Sequence, residues 1–379
     1  MGKSFATTHY RTPFQRQDCY RLRHVSARKA LLALIAVTGT VTAQNAPDLA
    51  AKANAYIKAA GIQGSVLLAK NGKVILAKGY GLANMELDVP NTPATIFRLG
   101  SITKQFTAAA VLQLQEKGKL NVSDLISKYI PDTPAAWNSV TIRHLLTHTS
   151  GIPSYTDEIG YQAHMREQSG PPPEFINRFR DRPLEFLPGE RFHYDNSGYF
   201  LLGVIVEQVS GMKYEDYLRK NIFEPLQMTS TGYDWPATIL KDRASGYSKS
   251  ADGKQINAEF LDMGQPYAAG SLYSTVLDLY KWDRALYTTR VLSAQSIGAA
   301  FTPGKFDWAE GIKYGYGWGI AQVHGHKTVG HGGGINGFST VIWRAIEEDA
   351  VSIVLSNSDA GSNVGKAGKE LLELVLDAN

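Results

Sequence analysis

Strand-forming runs at both ends of the chain, separated by a long helical stretch, limit the folds open to it. Near the start, Ser65 to Ala69 and Val74 to Lys78 are apolar runs joined by Asn71-Gly72. Asn-Gly between such runs is a strong signal for a tight β-hairpin, because both residues tolerate the positive φ angles the turn requires. Near the end, strand patterns recur at about Tyr316 to Val323, Lys327 to His331, Phe338 to Ala345 and Ala350 to Leu355. Helical patterns bracket these strands, one from Asp48 to Ala60 and one from about Asn363 to Leu376. The middle is rich in helices and loops, and is punctuated by Pro171-Pro172-Pro173 and Pro188-Gly189. The expected fold is α/β of the α+β type, a mainly antiparallel sheet flanked by helices with an inserted, mostly helical lobe. The sheet lobe is expected from about 44–107 and 264–379, and the helical lobe from about 108–263. Sites often lie where two such lobes meet.

The net charge of +4 conceals a division along the chain. The first 43 residues hold seven basic residues and one acid, Asp18, which leaves 32 basic and 34 acidic residues in the remainder, a net charge of −2. A nucleic-acid partner therefore lacks its main electrostatic support. Arg28-Lys29, the apolar run Ala30 to Val37 and the small residues ending at Val41-Thr42-Ala43 read as a signal peptide over residues 1–43. The run is shorter than the ~20 residues of a spanning helix, so no membrane span is expected once the signal is removed. An exported, periplasmic or secreted location follows as an expectation. The single cysteine, Cys19, falls inside this leader, so the remaining chain carries neither a disulfide nor a catalytic thiol.

Three segments carry chemistry. Ser101-Ile102-Thr103-Lys104 is an S-x-x-K sequence, as are Ser26 to Lys29 and Ser210 to Lys213. Context separates them: Ser26 lies in the leader and Ser210-Gly211 resembles a helix end. Ser101 opens an Ala/Leu/Gln-rich helix that stops near Gly118. Residues three apart on a helix share a face, so Lys104 can reach Ser101, and the helix N-terminus favours an oxyanion. To serve as a base near neutrality, Lys104 must fall from a pKa of about 10.4 to roughly 7–8, a differential of about 4 kcal/mol. Tyr194-Asp195-Asn196 is the only Y-x-N in the chain. Its tyrosine suits sharing the Ser101 proton or protonating a leaving group, and Asn196 suits a substrate carbonyl. The tripeptide equally suits capping the helix that follows. His331-Gly332-Gly333-Gly334 ends a strand-like run, and consecutive glycines allow a backbone to approach a ligand closely.

Taken in order, these segments resemble the signature set of penicillin-recognising serine enzymes, and specifically the class C β-lactamase and D-Ala-D-Ala carboxypeptidase branch, which includes esterases. Leu145 to Ile152, Tyr194 to Tyr199, Ala269 to Thr275 and Tyr314 to Gly319 add to the similarity, which extends over about residues 48 to 376. The resemblance implies Ser101 as nucleophile, with Lys104 and Tyr194 handling its proton. It implies Asn196 in contact with substrate, and the N–H groups of Ser101 and Gly334 as an oxyanion hole, with His331 and Gly333 in the third motif. His331 stands where class C β-lactamases carry lysine. A histidine with an ordinary pKa near 6.5 is mostly neutral at neutral pH, which disfavours strong recognition of carboxylate-bearing β-lactams. Peptidases of the family use histidine there.

The expected function is therefore an exported serine hydrolase forming a Ser101 acyl-enzyme, of the D-Ala-type peptidase kind. A carboxylesterase, a class C-like β-lactamase and a non-catalytic cell-wall-binding protein are the alternatives. The expected partner is a small-molecule or peptide substrate, with cell-wall peptide among the candidates. No cofactor is called for. His324, His326 and His331 lack nearby cysteines or paired acids at metal-ligand spacing, so no metal site is expected. No G-x-S-x-G elbow occurs, which removes an α/β-hydrolase. His148 is read as structural.

Overall fold

The computed structural model describes residues 45–159, 161–304, 313–359 and 363–378. The leader expected over residues 1–43, with Cys19, lies outside the described residues. Seven strands build the main sheet: β1 (Gly64–Lys70), β2 (Lys73–Tyr80), β3 (Lys313–Tyr314), β4 (Gly319–Val323), β5 (His326–Ile335), β6 (Phe338–Ala345) and β7 (Ala350–Ser356). Their order is β3-β4-β5-β6-β7-β1-β2, with every neighbouring pair antiparallel. The chain thus closes on itself, with β1 inserted beside β7 near the other end. Asn71 and Gly72 both take positive φ, 52° and 69°, as the hairpin turn demands.

The sheet is covered on both faces, which explains why β1 is buried at Gly64 through Ala69 rather than alternately. Val66 and Leu68 point to one side, where helix α1 (Asn45–Ala59) supplies Leu49, Ala53 and Ile57. The C-terminal helix α4 (Val364–Asp377) adds Leu371, Leu372 and Val375 on that side. Leu67 and Ala69 point to the other side and join the larger core. Each such Val, Leu or Ile side chain contributes ~1.5–3 kcal/mol when fully withdrawn from water.

The larger core is organised by α2 (Thr103–Glu116), buried at every position from Thr103 to Leu114. A helix enclosed all round needs small or apolar residues on every face, and Ala108-Ala109-Ala110-Val111-Leu112 provides them. Helix α3 (Asn196–Ser210) packs beside it, capped by Asp195, whose carboxylate accepts from the N–H of Gly198. The expected break between lobes at 107/108 falls inside α2, because one helix serves both sides. The stretch expected to be helical also contains short strands. Gly232–Tyr233 pairs with Leu272–Ser274, which pairs in turn with Phe97–Arg98, and Tyr247–Lys249 pairs with Gln255–Asn257. Strands of two or three residues show no legible periodicity. Among the described residues, no helix is long and apolar enough to cross a membrane.

Candidate active site

Ser101 stands on a single 3-10 turn, Gly100–Ile102, that leads into α2, so the α-helix proper begins two residues after the serine. Gly100 has φ +54°, and a Cβ there would lie 3.0 Å from the backbone N and O of Gly334. Glycine lets the turn adopt this angle and rest directly on β5. Leu99 continues the same contact: its carbonyl accepts from Thr340 Oγ1 at 2.7 Å, and a Cβ on Gly333 would meet it at 2.0 Å. The Ser101 turn is therefore clamped to the strand bearing His331, Gly333 and Gly334.

The crowding differs between the two glycines. Gly333→Ala will destabilise the protein by about 1–3 kcal/mol through overpacking against Leu99, and will displace the Ser101 turn. A Cβ on Gly334 meets nothing within 4 Å, so Gly334→Ala will melt close to wild type. Thermal denaturation of both variants checks the contrast.

Lys104 is completely buried. Its Nζ lies 3.0 Å from Ser101 Oγ, 2.8 Å from Asn196 Oδ1 and 2.9 Å from the carbonyl oxygen of Ala269. The last two atoms only accept hydrogen bonds. A neutral amine has two hydrogens, which satisfy these two acceptors, and its lone pair then faces the Ser101 hydroxyl. Burial pushes the Lys104 pKa down to about 7, with the Asp195 carboxylate opposing part of the fall. The rings of Tyr194 and Tyr199 lie 4.9 and 5.5 Å from Nζ.

Tyr194 is partly exposed and shares a hydrogen bond with Ser101. Burial of its hydroxyl, aided by the nearby Asp195, holds the phenol well above its usual value despite that bond, so it carries its proton near neutrality. Asn196 is oriented at both ends of its amide, since Nδ2 donates to Thr156 Oγ1 at 3.1 Å. Asp195 caps α3 and is buried, which raises its carboxyl to about 7 against the pull of Gly198 N–H and Lys104.

His148 supports the tripeptide from behind. It is fully buried, accepts the Asp195 N–H on Nδ1 at 3.1 Å, and packs on the Tyr194 ring at 4.3 Å. Its accepting Nδ1 and its depressed pKa, caused first by burial, make it a neutral scaffold, in agreement with its reading as structural. His331 is buried as well. Its Nδ1 lies 2.5 Å from the carbonyl of Gly332, so Nδ1 carries the proton and Nε2 accepts from the Tyr314 hydroxyl at 2.8 Å. Burial and then Lys104 push its pKa down to about 3. Histidine at this position is thus uncharged for a stronger reason than its ordinary pKa.

The structure brings Ser101, Lys104, Tyr194 and Asn196 together and sets Gly334 against the nucleophile turn. His331 joins them through its ring contact with Tyr194 at 6.2 Å and its bond to Tyr314. Thr156, the Ala269 carbonyl and Tyr314 hold the site but receive no role from sequence. Ala269 and Tyr314 lie in two of the runs that carry the resemblance; Thr156 gives no such signal. Among the described residues, no group of three or more His, Cys, Asp or Glu side chains is placed to hold a metal ion. His324 and His326 instead face acids distant in sequence, Asp377 and Glu348.

Comparison with known proteins agrees with this geometry. A family model described as Beta-lactamase matches residues 49–376. The putative penicillin-binding protein PbpX of Bacillus subtilis (strain 168) is 31% identical over 86% of this chain and 78% of its own length. The octameric penicillin-binding protein homologue from Pyrococcus abyssi superposes with a TM-score of 0.75 at 35% identity, over 88% of this chain and 78% of that one. A D-stereospecific amidohydrolase from Streptomyces sp. superposes with a TM-score of 0.73 at 26% identity, over 84% and 97%.

Proposed function

We propose, from the premise that this chain belongs to the beta-lactamase family and is a serine hydrolase, that it cleaves amide bonds of D-Ala-type peptides through an acyl-enzyme on Ser101. Neutral Lys104 takes the Ser101 proton as Oγ attacks the substrate carbonyl. Charge moves to the carbonyl oxygen, where the N–H groups of Ser101 and Gly334 receive it. As the C–N bond breaks, Tyr194 gives its proton to the leaving nitrogen and is reprotonated from Lys104. Water then repeats the sequence on the ester, losing its proton to Lys104 and releasing the acid and Ser101.

The observation that carries the substrate choice is the neutral, buried His331. A substrate anchored by a carboxylate, whether a β-lactam or a peptide with a free D-Ala terminus, finds no cation there, whereas a D-alanyl amide or a D-Ala peptide bond inside a chain needs none. The D-stereospecific amidohydrolase among the structural relatives supports an amide beside a D-residue. Turnover of a D-Ala-D-Ala peptide, a D-amino acid amide, a nitrophenyl ester and a cephalosporin tests this reading. Release of the amide's ammonia faster than of D-Ala from a free D-Ala-D-Ala terminus, with slow cephalosporin hydrolysis, is expected. Ester turnover with neither release would replace the reading by a carboxylesterase. His331→Lys will raise cephalosporin acylation relative to the carboxylate-free D-amino acid amide by about tenfold, the order of one charge-assisted hydrogen bond. Export with removal of residues 1–43 belongs to the same proposal; protein retained inside the cell would overturn export, and exported protein whose intact mass still includes residues 1–43 would overturn the cleavage.

A further inference from the structure

A separate cavity, whose lining shares no residue with the site described above, holds two arginine side chains. Its volume is about 350 Å³, and its lining includes Arg98, Arg243, Phe260, Asn336 and Phe338. Arg98 Nε and Arg243 Nη2 both donate to the same oxygen of Asp234, at 2.6 and 2.8 Å. Asp234 is completely buried and its other oxygen has no partner among the described residues. One carboxylate therefore serves two guanidiniums, each bonded through a single N–H, although a guanidinium offers five. Glu259 also lines the cavity, but it pairs with Arg166 at 2.9 Å. Arg98 and Arg243 against Asp234 leave one positive charge beside two aromatic rings, with the Glu86 carboxylate bonded to Asn257 and the Asp359 carboxylate bonded to Gly337 N–H at the cavity's edge.

The backbone fixes this charge close to the nucleophile. Arg98 lies three residues before Ser101, and Asn336 lies two after Gly334. At ~3.5 Å per residue these separations cannot exceed about 11 and 7 Å between Cα atoms. Arg243 is bridged to the same segment through Ile96, whose carbonyl accepts from Ala244 N–H. Tyr194, which serves the leaving group, contacts His331 at one end of the motif strand. The acyl half of the substrate then extends the opposite way, toward Gly334 and Asn336.

We propose that Arg98 and Arg243 form a subsite that accepts a carboxylate carried on the acyl portion of the substrate. This rests on acyl transfer at Ser101, and the test separates the two. Nitrophenyl esters of ω-carboxyacyl groups, from succinyl to pimeloyl, are compared with uncharged acyl esters of equal length. Turnover of the uncharged esters reports on Ser101 alone, and the ratio of charged to uncharged kcat/KM reports on the subsite. At the chain length that reaches the arginines the ratio will exceed one by about tenfold, as expected for one charge-assisted hydrogen bond. Arg243→Gln will bring it toward one. Phe260→Glu, at a position 51% exposed, adds a negative charge to the rim without touching either arginine and will also lower the ratio. Free glutarate will inhibit the charged ester competitively; if it instead accelerates uncharged esters, the cavity serves a separate anion and the proposal fails. A ratio within twofold of one at every length, or one unchanged in both variants, also overturns it.

Discussion

Lys104→Met will lower kcat/KM for an amide substrate by about 10³-fold, within the range for loss of a positioned base. Methionine is close in volume to lysine, so the enclosure by Tyr194 and Tyr199 is retained. The substitution leaves Asn196 Oδ1 and the Ala269 carbonyl without the donor they share. That costs about 1–3 kcal/mol for each acceptor left unsatisfied in the interior, so the variant melts at a lower temperature but folds. Far-UV circular dichroism separates the two effects. The pH profile carries the sharper prediction. Activity needs the neutral amine, and Lys104 is held at about 7, so wild-type kcat/KM rises as pH increases through that value. The Asp195 carboxyl, raised to about 7, faces the same amine, so the rising limb belongs to the pair. In Lys104→Met the limb disappears, and the residual rate is nearly flat from pH 6 to 8.

Tyr194→Phe will reduce amide turnover by about 10²-fold and nitrophenyl ester turnover far less. An amine leaves only with a proton, whereas nitrophenolate leaves without one. Burial and the neighbouring Asp195 hold the phenol above its usual pKa, so at neutral pH it is a proton donor and not a phenolate base. Phenylalanine keeps the ring that covers Lys104 Nζ and packs on His148. The rising limb near pH 7 therefore persists in this variant. Comparing kcat/KM for one amide and one ester across pH checks both statements. An equal loss on both substrates would assign Tyr194 to Ser101 activation alone.

Much of this architecture can be read from the chain. Asn71-Gly72 specifies the first hairpin, and the apolar runs after Phe338 and Ala350 specify the central strands, because pattern and turn chemistry are local. Ser101 and Lys104 are legible for the same reason, being one turn apart on a helix. What makes Lys104 a base is not local. Its partners come from positions 92 and 165 residues away in sequence, and one of them is a backbone carbonyl, which no side-chain motif reveals. The 3-10 turn under Ser101 depends on Gly100 lying against Gly334, a contact between distant segments. His331 is visible as a histidine, but its charge state is set by Gly332 and Tyr314 and by the depth at which β5 lies. Arg98 and Arg243 carry no motif, and only the pairing of Phe97–Arg98 with Leu272–Ser274 and the bridge at Ile96 bring them to one carboxylate.

Every step above passes through a covalent bond to Ser101 Oγ, and intact mass spectrometry reads that bond directly. Wild-type protein mixed with a slowly released acylating substrate or a fluorophosphonate should gain the mass of one acyl or phosphonyl group, on the peptide containing Ser101. Ser101→Ala should gain nothing, although Lys104 and Tyr194 remain in place. Equal labelling of the variant, or wild-type label on any other peptide, would contradict the account.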